Sequence, residues 1–341
     1  MRGIFLILLI PCLVACSASL SPMSFRDPNL SVVWPAPPEK ARIRYLAQIN
    51  GPDDILPPQG NVDRLFTLIT GEKAALMPLV TPMGIASDGR RFVYVADGAA
   101  RLVHCFDLGR QEVSYLQFAG TSPLKSPTSV AVAADGSVYV ADSVLARVFK
   151  YSQANGYLGE LQGATFQRPA GIAVTADHEK IVIDVLAHRL LIFDRNDRFV
   201  RSFPQPADDV ALNRPTHVAV DRNKNVYVTD AMNFRVTIFD WEGRLLTTIG
   251  EPGDTPGYFS RPKGIGVDSD GHIYVVDALQ GNVQIYDRSG QLLLPFGGTG
   301  KRGGEFNLPS GIFIDDSDRI YVADTYNRRV QVFQYLKGST Q

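Results

Sequence analysis

Cysteine is nearly missing from this chain, with three in 341 residues, at positions 12, 16 and 105. Two fall within the first 16 residues and Cys105 has no partner beyond them. A disulfide framework is therefore excluded, and a core of this size does not need one. No C-x-x-C-H occurs, so the chain attaches no haem covalently. Histidine is scarce too, with five scattered copies. Charge of one sign is also lacking: 34 basic residues stand against 35 acidic ones, for a net charge of −1. That balance argues against nucleic acid, whose binders carry a basic footprint. No P-loop, dinucleotide fingerprint or Ser-His-Asp spacing is present. Apart from one short segment, helical periodicity is absent as well.

What is present is repetition. Near-copies of one phrase occur at residues 92–97 (FVYVAD), 138–142 (VYVAD), 226–230 (VYVTD) and 319–324 (RIYVAD). The aspartates closing each copy are Asp97, Asp142, Asp184, Asp230, Asp277 and Asp324, spaced 45, 42, 46, 47 and 47 residues apart. A proline lies 15 residues before each: Pro82, Pro127, Pro169, Pro215, Pro262 and Pro309. The constant offset places insertions between units. Each unit reads as four strands: a short apolar run after the proline, the VYVAD run, a third run ending in an aromatic, and a fourth such as RLLTTIG or QLLLPFG. Asp-Gly at 135–136 and 270–271 suits tight hairpins. Four antiparallel strands per unit of about 40–50 residues predict an all-β fold, a six-bladed β-propeller. The sixth unit stops without a fourth strand, and open edges invite aggregation. Residues 42–49 (RIRYLAQI) resemble a fourth strand and are expected to complete the last blade and close the ring.

The leader MRGIFLILLIPCLVAC has one arginine before an apolar run of about ten residues, too short to span a membrane. It reads as a signal peptide over 1–15. LVAC looks like a bacterial lipobox, with Cys16 lipidated; an ordinary signal peptide is the alternative. Ser17 then implies sorting to the outer membrane. Residues 16–41, rich in Ser and Pro, read as a tether with a reach of roughly 80 Å. The propeller is expected over 42–341, with repeats over about 79–336. At about 61–70, Val62, Leu65, Phe66 and Ile69 fall at helical spacing and predict a short helix.

The unit P-x-G-I-x-V-D…Y-V-A-D-x-x-N-x-R-V-x-V-F closely resembles the NHL repeat. Residues 309–333, PSGIFIDDSDRIYVADTYNRRVQVF, come nearest to a full match. The resemblance covers about three quarters of the chain, and repeat three departs most, with IVID for YVAD. The phrase VWPAPPEKARIRYLAQINGPDDI looks like the entry segment of bacterial envelope NHL lipoproteins, which are often found with exported multihaem cytochromes. The resemblance implies a lipid-anchored, monomeric propeller, with envelope cytochromes as one class of partner. Relatives of this repeat include RNA-binding modules, kinase sensor domains, interaction scaffolds and a metal-dependent amidating lyase.

The residues two after each proline (Gly84, Ser129, Gly171, His217, Gly264 and Gly311) should ring the mouth of a central channel. Of the histidines, only His217 belongs to that ring. His104 falls in a third strand, His178 and His272 in hairpins on the opposite face, and His188 in the loop between strands two and three. Catalytic zinc usually takes three protein ligands, so no metal site is expected. An arginine follows most of the closing aspartates: Arg101, Arg147, Arg189, Arg235 and Arg329, with Asn282 in the fifth repeat. This Asp/Arg set reads either as blade architecture or as the rim of a binding face. Apolar loop residues Met232, Phe234, Tyr258, Phe259, Leu279 and Tyr326 break the sixfold pattern; the alternative is that Tyr258, Phe259 and Phe306, and likewise Phe234 and Tyr326, tuck between blades. The expected candidate binding face is thus Asp97, Arg101, Asp142, Arg147, Asp184, Arg189, His217, Asp230, Phe234, Arg235, Asp277, Asp324, Tyr326 and Arg329. The leading expectation is a non-enzymatic scaffold for a protein or extended ligand, without a cofactor. The alternatives are a lyase or lactonase-type enzyme near His217, or a sensor of small cell-wall ligands.

Overall fold

A computed structural model describes residues 31–57, 76–205 and 210–337 of the chain. The signal peptide, Cys16 and the helix expected near 61–70 lie outside the described residues.

Six sheets follow one another around a ring. Blade I is Pro82–Ser87, Phe92–Asp97, Leu102–Asp107 and Glu112–Leu116. Blade II is Pro127–Val132, Val138–Asp142, Arg147–Tyr151 and Tyr157–Glu160. Blade III is Pro169–Val174, Lys180–Asp184, Arg189–Phe193 and Phe199–Phe203. Blade IV is Pro215–Val220, Val226–Asp230, Arg235–Phe239 and Leu245–Ile249, and blade V is Pro262–Val267, Ile273–Asp277, Asn282–Tyr286 and Leu292–Gly297. Blade VI supplies Ile312–Ile314, Arg319–Asp324 and Arg329–Tyr335 from the C-terminal end of the chain. Its fourth strand is Ile43–Ile49, which pairs antiparallel with Arg329–Tyr335 from Ile43↔Tyr335 to Ile49↔Val330. The ring closes as expected from the missing strand.

Apart from Phe92 and Arg319 at the start of two of them, the second strands are buried along their whole length rather than on alternate residues. The cause is stacking: each blade packs against a neighbour on both faces, so both faces of an inner strand are dry. The fourth strands are the ones open to solvent, as Glu112–Leu116 and Leu245–Ile249 are over most of their length.

The core is correspondingly divided. Among the described residues it forms six apolar clusters, one at each junction between blades. The junction of blades VI and I joins Ile49, Tyr321 and Val330 to Val93, Val95 and Phe106. Closing the ring therefore buries as distinct a cluster as any other junction.

One segment departs from expectation. Within the tether expected up to residue 41, residues 32–35 are docked against the propeller, while residues 36–40 stay exposed. Val33–Trp34 pairs with Arg44 and Ile43 as a fifth, outermost strand of blade VI. The Trp34 ring lies 5.7 Å from Phe296 and 5.9 Å from Phe333. The physical reason is apolar area: an indole laid over two phenylalanines outweighs the extended, solvated state that proline-rich composition favours.

Candidate binding face and channel mouth

The six closing aspartates are all fully buried. Asp142 accepts hydrogen bonds from the N–H groups of Lys125 (2.7 Å), Ser126 (3.1 Å), Val144 (3.1 Å) and Leu145 (3.0 Å). Asp97 does the same for Val80, Thr81 and Ala100, and Asp277 for Ser260, Arg261, Leu279 and Gln280. Asp184 takes Gln167, Arg168 and Ala187, Asp230 takes Asn213, and Asp324 takes Asn307. Each carboxylate thus ties the exit of its second strand to the loop entering its first. These side chains are architecture, and with their lone pairs occupied they form no charged rim. The binding-face expectation is corrected at those six positions.

The arginines do not form a uniform set either. Arg329 is buried, with Nε 2.7 Å from Asp324, and Arg235 Nε donates to Asp230 at 3.0 Å. Arg147 instead meets Glu160 at 3.3 Å. Arg189 Nε is buried without a partner, and Arg101 is exposed. In blade I the group beside Asp97 is His104, whose Nε2 lies 3.6 Å away. Burial works against the Asp97 carboxylate, but His104 and three backbone N–H groups outweigh it and hold its pKa below the ordinary value. The position seven after the aspartate recurs in this role. Thr237 and Gln331 also reach their aspartates, and Gln284 and Gln331 hold the N–H groups of Gly257 and Gly304 in the glycine-rich loops.

What the exit turns do present is apolar. Two residues beyond the aspartate stand Val144 (67% exposed), Leu186 (41%), Met232 (52%), Leu279 (57%) and Tyr326 (66%), with Ala99 in blade I. They occupy one register on one face. The other exposed large hydrophobics lie mainly on fourth strands, around the perimeter, as with Leu158, Val200 and Leu246. Met232, Leu279 and Tyr326 are where the sequence places them. Val144 and Leu186 were missed, although the same offset would have found them. Phe259 and Phe306 are fully buried, Tyr258 is exposed, and Phe234 is half-buried against the junction of blades IV and V. Phe234 holds the left-handed position four after its aspartate, as do Arg101, Ala146, His188, Gly281 and Arg328 in the other blades.

At the centre of this face the first strands converge. A cavity of about 160 Å³ is lined by Gly84, Ser129, Gly171, His217 and Gly311, with Ala, Val and Ile behind them. The glycines are required by closeness: a Cβ on Gly84 would stand 2.6 Å from Cα of Ser129 in the next blade. On the hairpin face the bore widens to about 710 Å³ between residues such as Asp88, Asp135, Asp221, Asp268 and Asp315. Those aspartates cap their own hairpins, as Asp221 does for Asn223 and Asn225.

His217 lines the bore as expected. Burial, and then the nearby Lys263 charge, push its pKa down to about 3. Its Nδ1 has no hydrogen-bond partner. The other four histidines lie elsewhere: His104 is in a third strand, His178 in a hairpin turn 3.8 Å from Asp135, His188 in an exit turn beside Leu212, and His272 on the hairpin side with Asp268. Among the described residues no three His, Cys, Asp or Glu side chains converge on a point that could hold a metal.

Two family models match the chain. One, described as "6-bladed beta-propeller", covers residues 205–293, and the NHL repeat model covers residues 306–333. The fold is a six-bladed β-propeller with NHL repeat character. Solved structures agree on the architecture of this propeller. A streptogramin B lyase matches at a TM-score of 0.58 and 14% identity, over 76% of this chain and 95% of its own. An auxiliary nutrient binding protein from Bacteroides thetaiotaomicron gives 0.59 and 16%, over 75% and 69%. Hydrazine synthase of Kuenenia stuttgartiensis gives 0.54 and 15%, over 80% and 99%. Comparison with curated proteins finds no match. At such identities the likeness carries the propeller and not its use.

Proposed function

We propose that this propeller is a non-enzymatic binding module, held at a bacterial envelope by a lipid on Cys16, that presents its exit-turn face to another protein or an extended ligand. The observation that carries the reading is the set of five exposed apolar side chains at one register of one face. Apolar side chains gathered on one exposed face mark contact surfaces. The leader and its LVAC sequence support the envelope half of the proposal. The resemblance to envelope lipoproteins found with cytochromes suggests a redox complex as the partner class.

A lyase or lactonase site near His217 asks more of the mouth than its donor set supplies. One imidazole is present where catalytic zinc takes three protein ligands. With a pKa near 3, that imidazole is also a weak general base at neutral pH.

The test places a photo-crosslinking residue at Leu279 on the exit-turn face and, separately, at Leu246 on the perimeter. The expected result is a discrete adduct from Leu279 alone, lost when Val144 and Tyr326 are both changed to Asp. Equal labelling from both sites would sink the reading. So would lyase or lactonase turnover that disappears in His217→Ala.

A further inference from the structure

The exit-turn face carries charge as well as apolar side chains, and both follow the blade repeat. In the two residues before the proline, blades II to V carry Lys125, Arg168, Arg214 and Arg261, whereas blades I and VI carry no charge there. All four cations are exposed, and among the described residues none of their side chains makes an ion pair or hydrogen bond. Their backbones are nevertheless fixed. The N–H groups of Lys125, Arg168 and Arg261 donate to Asp142 (2.7 Å), Asp184 (2.9 Å) and Asp277 (3.0 Å), and that of Arg214 donates to His188 Nδ1 at 3.1 Å. Each cation's loop is thus held against an exit turn. In blades II to V those turns present Val144, Leu186, Met232 and Leu279. Four successive blades therefore each offer one exposed apolar side chain and one exposed, unpaired cation on the same face. Arg328 adds a further exposed cation near Tyr326 in blade VI.

Acid is missing from this register. None of the exit turns (98–101, 143–147, 185–189, 231–235, 278–282 and 325–329) and none of the residue pairs before the prolines contains Asp or Glu. Among the described residues, acids on this side belong to the loop into blade V, as Glu251 and Asp254 do, or are paired, as Glu160 is with Arg147. The opposite face has the other sign. Its turns between first and second strands (88–91, 133–137, 175–179, 221–225, 268–272 and 315–318) hold ten acidic residues against four basic ones. An acidic partner is therefore drawn to one face of the ring and repelled by the other.

Apolar contacts supply binding energy, and unpaired cations select the sign of what binds. A complementary ligand carries acidic and apolar side chains in turn along its length. Nucleic acid supplies the charge without the apolar side chains. A flat bilayer would meet the whole face, but the pairing of cation with apolar side chain runs along an arc, and blade I presents only Ala99. An arc fits an extended chain.

We propose that the exit-turn face over blades II to V binds an acidic polypeptide segment, whose carboxylates meet the four cations and whose apolar side chains meet Val144, Leu186, Met232 and Leu279. The inference deepens the binding-module reading and rests on it, because it names the chemistry of the partner for the same face.

The probe is a fluorescent peptide of four Glu-Leu-Gly-Ser repeats, titrated with the full chain and followed by anisotropy. Companion peptides replace every Glu by Lys, or every Leu by Ser. The expected result is saturable binding of the first peptide alone, weakened severalfold as salt rises from about 0.05 M to about 0.5 M. Arg168→Glu combined with Arg214→Glu should weaken it at least about tenfold. The melting temperature should stay unchanged, since neither side chain has a partner to lose. Val144→Ser combined with Leu279→Ser should also weaken binding while keeping its salt dependence. No binding, equal binding of the lysine or serine peptide, or unchanged affinity in the Arg168→Glu, Arg214→Glu variant would overturn the proposal. So would preference for oligothymidylate or for phosphatidylglycerol vesicles over the peptide, which would give the face to nucleic acid or to a bilayer. The binding-module reading fails separately. If the Leu279 crosslink persists in the doubly substituted arginine variant, the face still binds a protein and only the acidic character of that partner is wrong.

Discussion

Asp142 shows how much of a blade depends on one carboxylate. Four backbone donors converge on it from two loops. In Asp142→Ala they lose their acceptor, and a buried donor left unmade costs about 1–3 kcal/mol. Some would recover water, so the expected loss is about 3–5 kcal/mol, with Asp142→Asn milder. Urea midpoints of the two variants measure this, and a loss below about 1 kcal/mol for Asp142→Ala would refute the latch. The histidines set opposing pH trends. His217 has its pKa depressed to about 3, so below an unfolded value near 6.5 the unfolded chain takes a proton that the folded chain refuses. Its contribution is present above about pH 6.5 and is lost as pH falls toward 3, by at most about 1.4 kcal/mol per pH unit. His272 is the reverse: its bond to Asp268 raises its pKa, so its contribution is present below about 6.5 and is lost as pH rises through the raised value. His217→Asn should flatten the acid limb of the stability profile and His272→Gln the neutral limb. Identical profiles for wild type and both variants would contradict the assignment. The aspartates were legible as a motif, and blade architecture, the reading the structure bears out, was one of its two readings; the choice between them was not legible, because a one-letter repeat cannot tell a carboxylate that ties two loops from one on a rim. Position seven after the aspartate carried the missing clue: polar His104, Thr237, Gln284 and Gln331 stand in otherwise apolar strands.

At the scale of the element, the two N-terminal strands differ in how well the sequence announces them. Ile43–Ile49 was legible from an unfinished sixth unit and a matching seven-residue pattern. Val33–Trp34 was not, because two residues have no period and the surrounding prolines suggest an extended chain. The ring contacts carry the information instead, with Trp34 against Phe296 and Phe333. Trp34→Ala should therefore cost about 2–4 kcal/mol, somewhat less than a fully buried aromatic. A thermal midpoint unchanged from wild type would mean that the segment is only resting there. The glycines divide by what faces them. A Cβ on Gly311 would overlap the carbonyl oxygen of Met83, across the junction where blade VI meets blade I. On Gly51 it would meet nothing nearer than 3.8 Å, at Cα of Pro78. Gly311→Ala should destabilise strongly or fail to fold, whereas Gly51→Ala should stay within about 0.5 kcal/mol of wild type.

On the scale of the whole molecule, stability resides in six junctions rather than one centre, and the bore is the consequence. Blades II and III add a polar link: Lys180 and Lys150 both pair with Asp197, which also accepts from the Tyr139 hydroxyl at 2.9 Å. The ring was legible because periodicity and a constant Pro-to-Asp offset are properties of sequence alone. Closure is the property that only the intact ring has. Removing residues 1–49 would take away the fourth strand of blade VI, expose the edge of Arg329–Tyr335, and strip Ile43, Tyr45 and Ile49 from two junction clusters. An unpaired edge templates association. The truncated chain should therefore unfold at lower temperature, in a broader transition, and elute from size exclusion as dimers or larger species. A peptide spanning residues 31–49, added in trans, should restore the monomer by supplying the missing strand. If the truncated chain stays monomeric, melts as sharply as the full chain and ignores the peptide, then five complete blades hold the ring by themselves and the closing strand is an ornament of the fold rather than its lock.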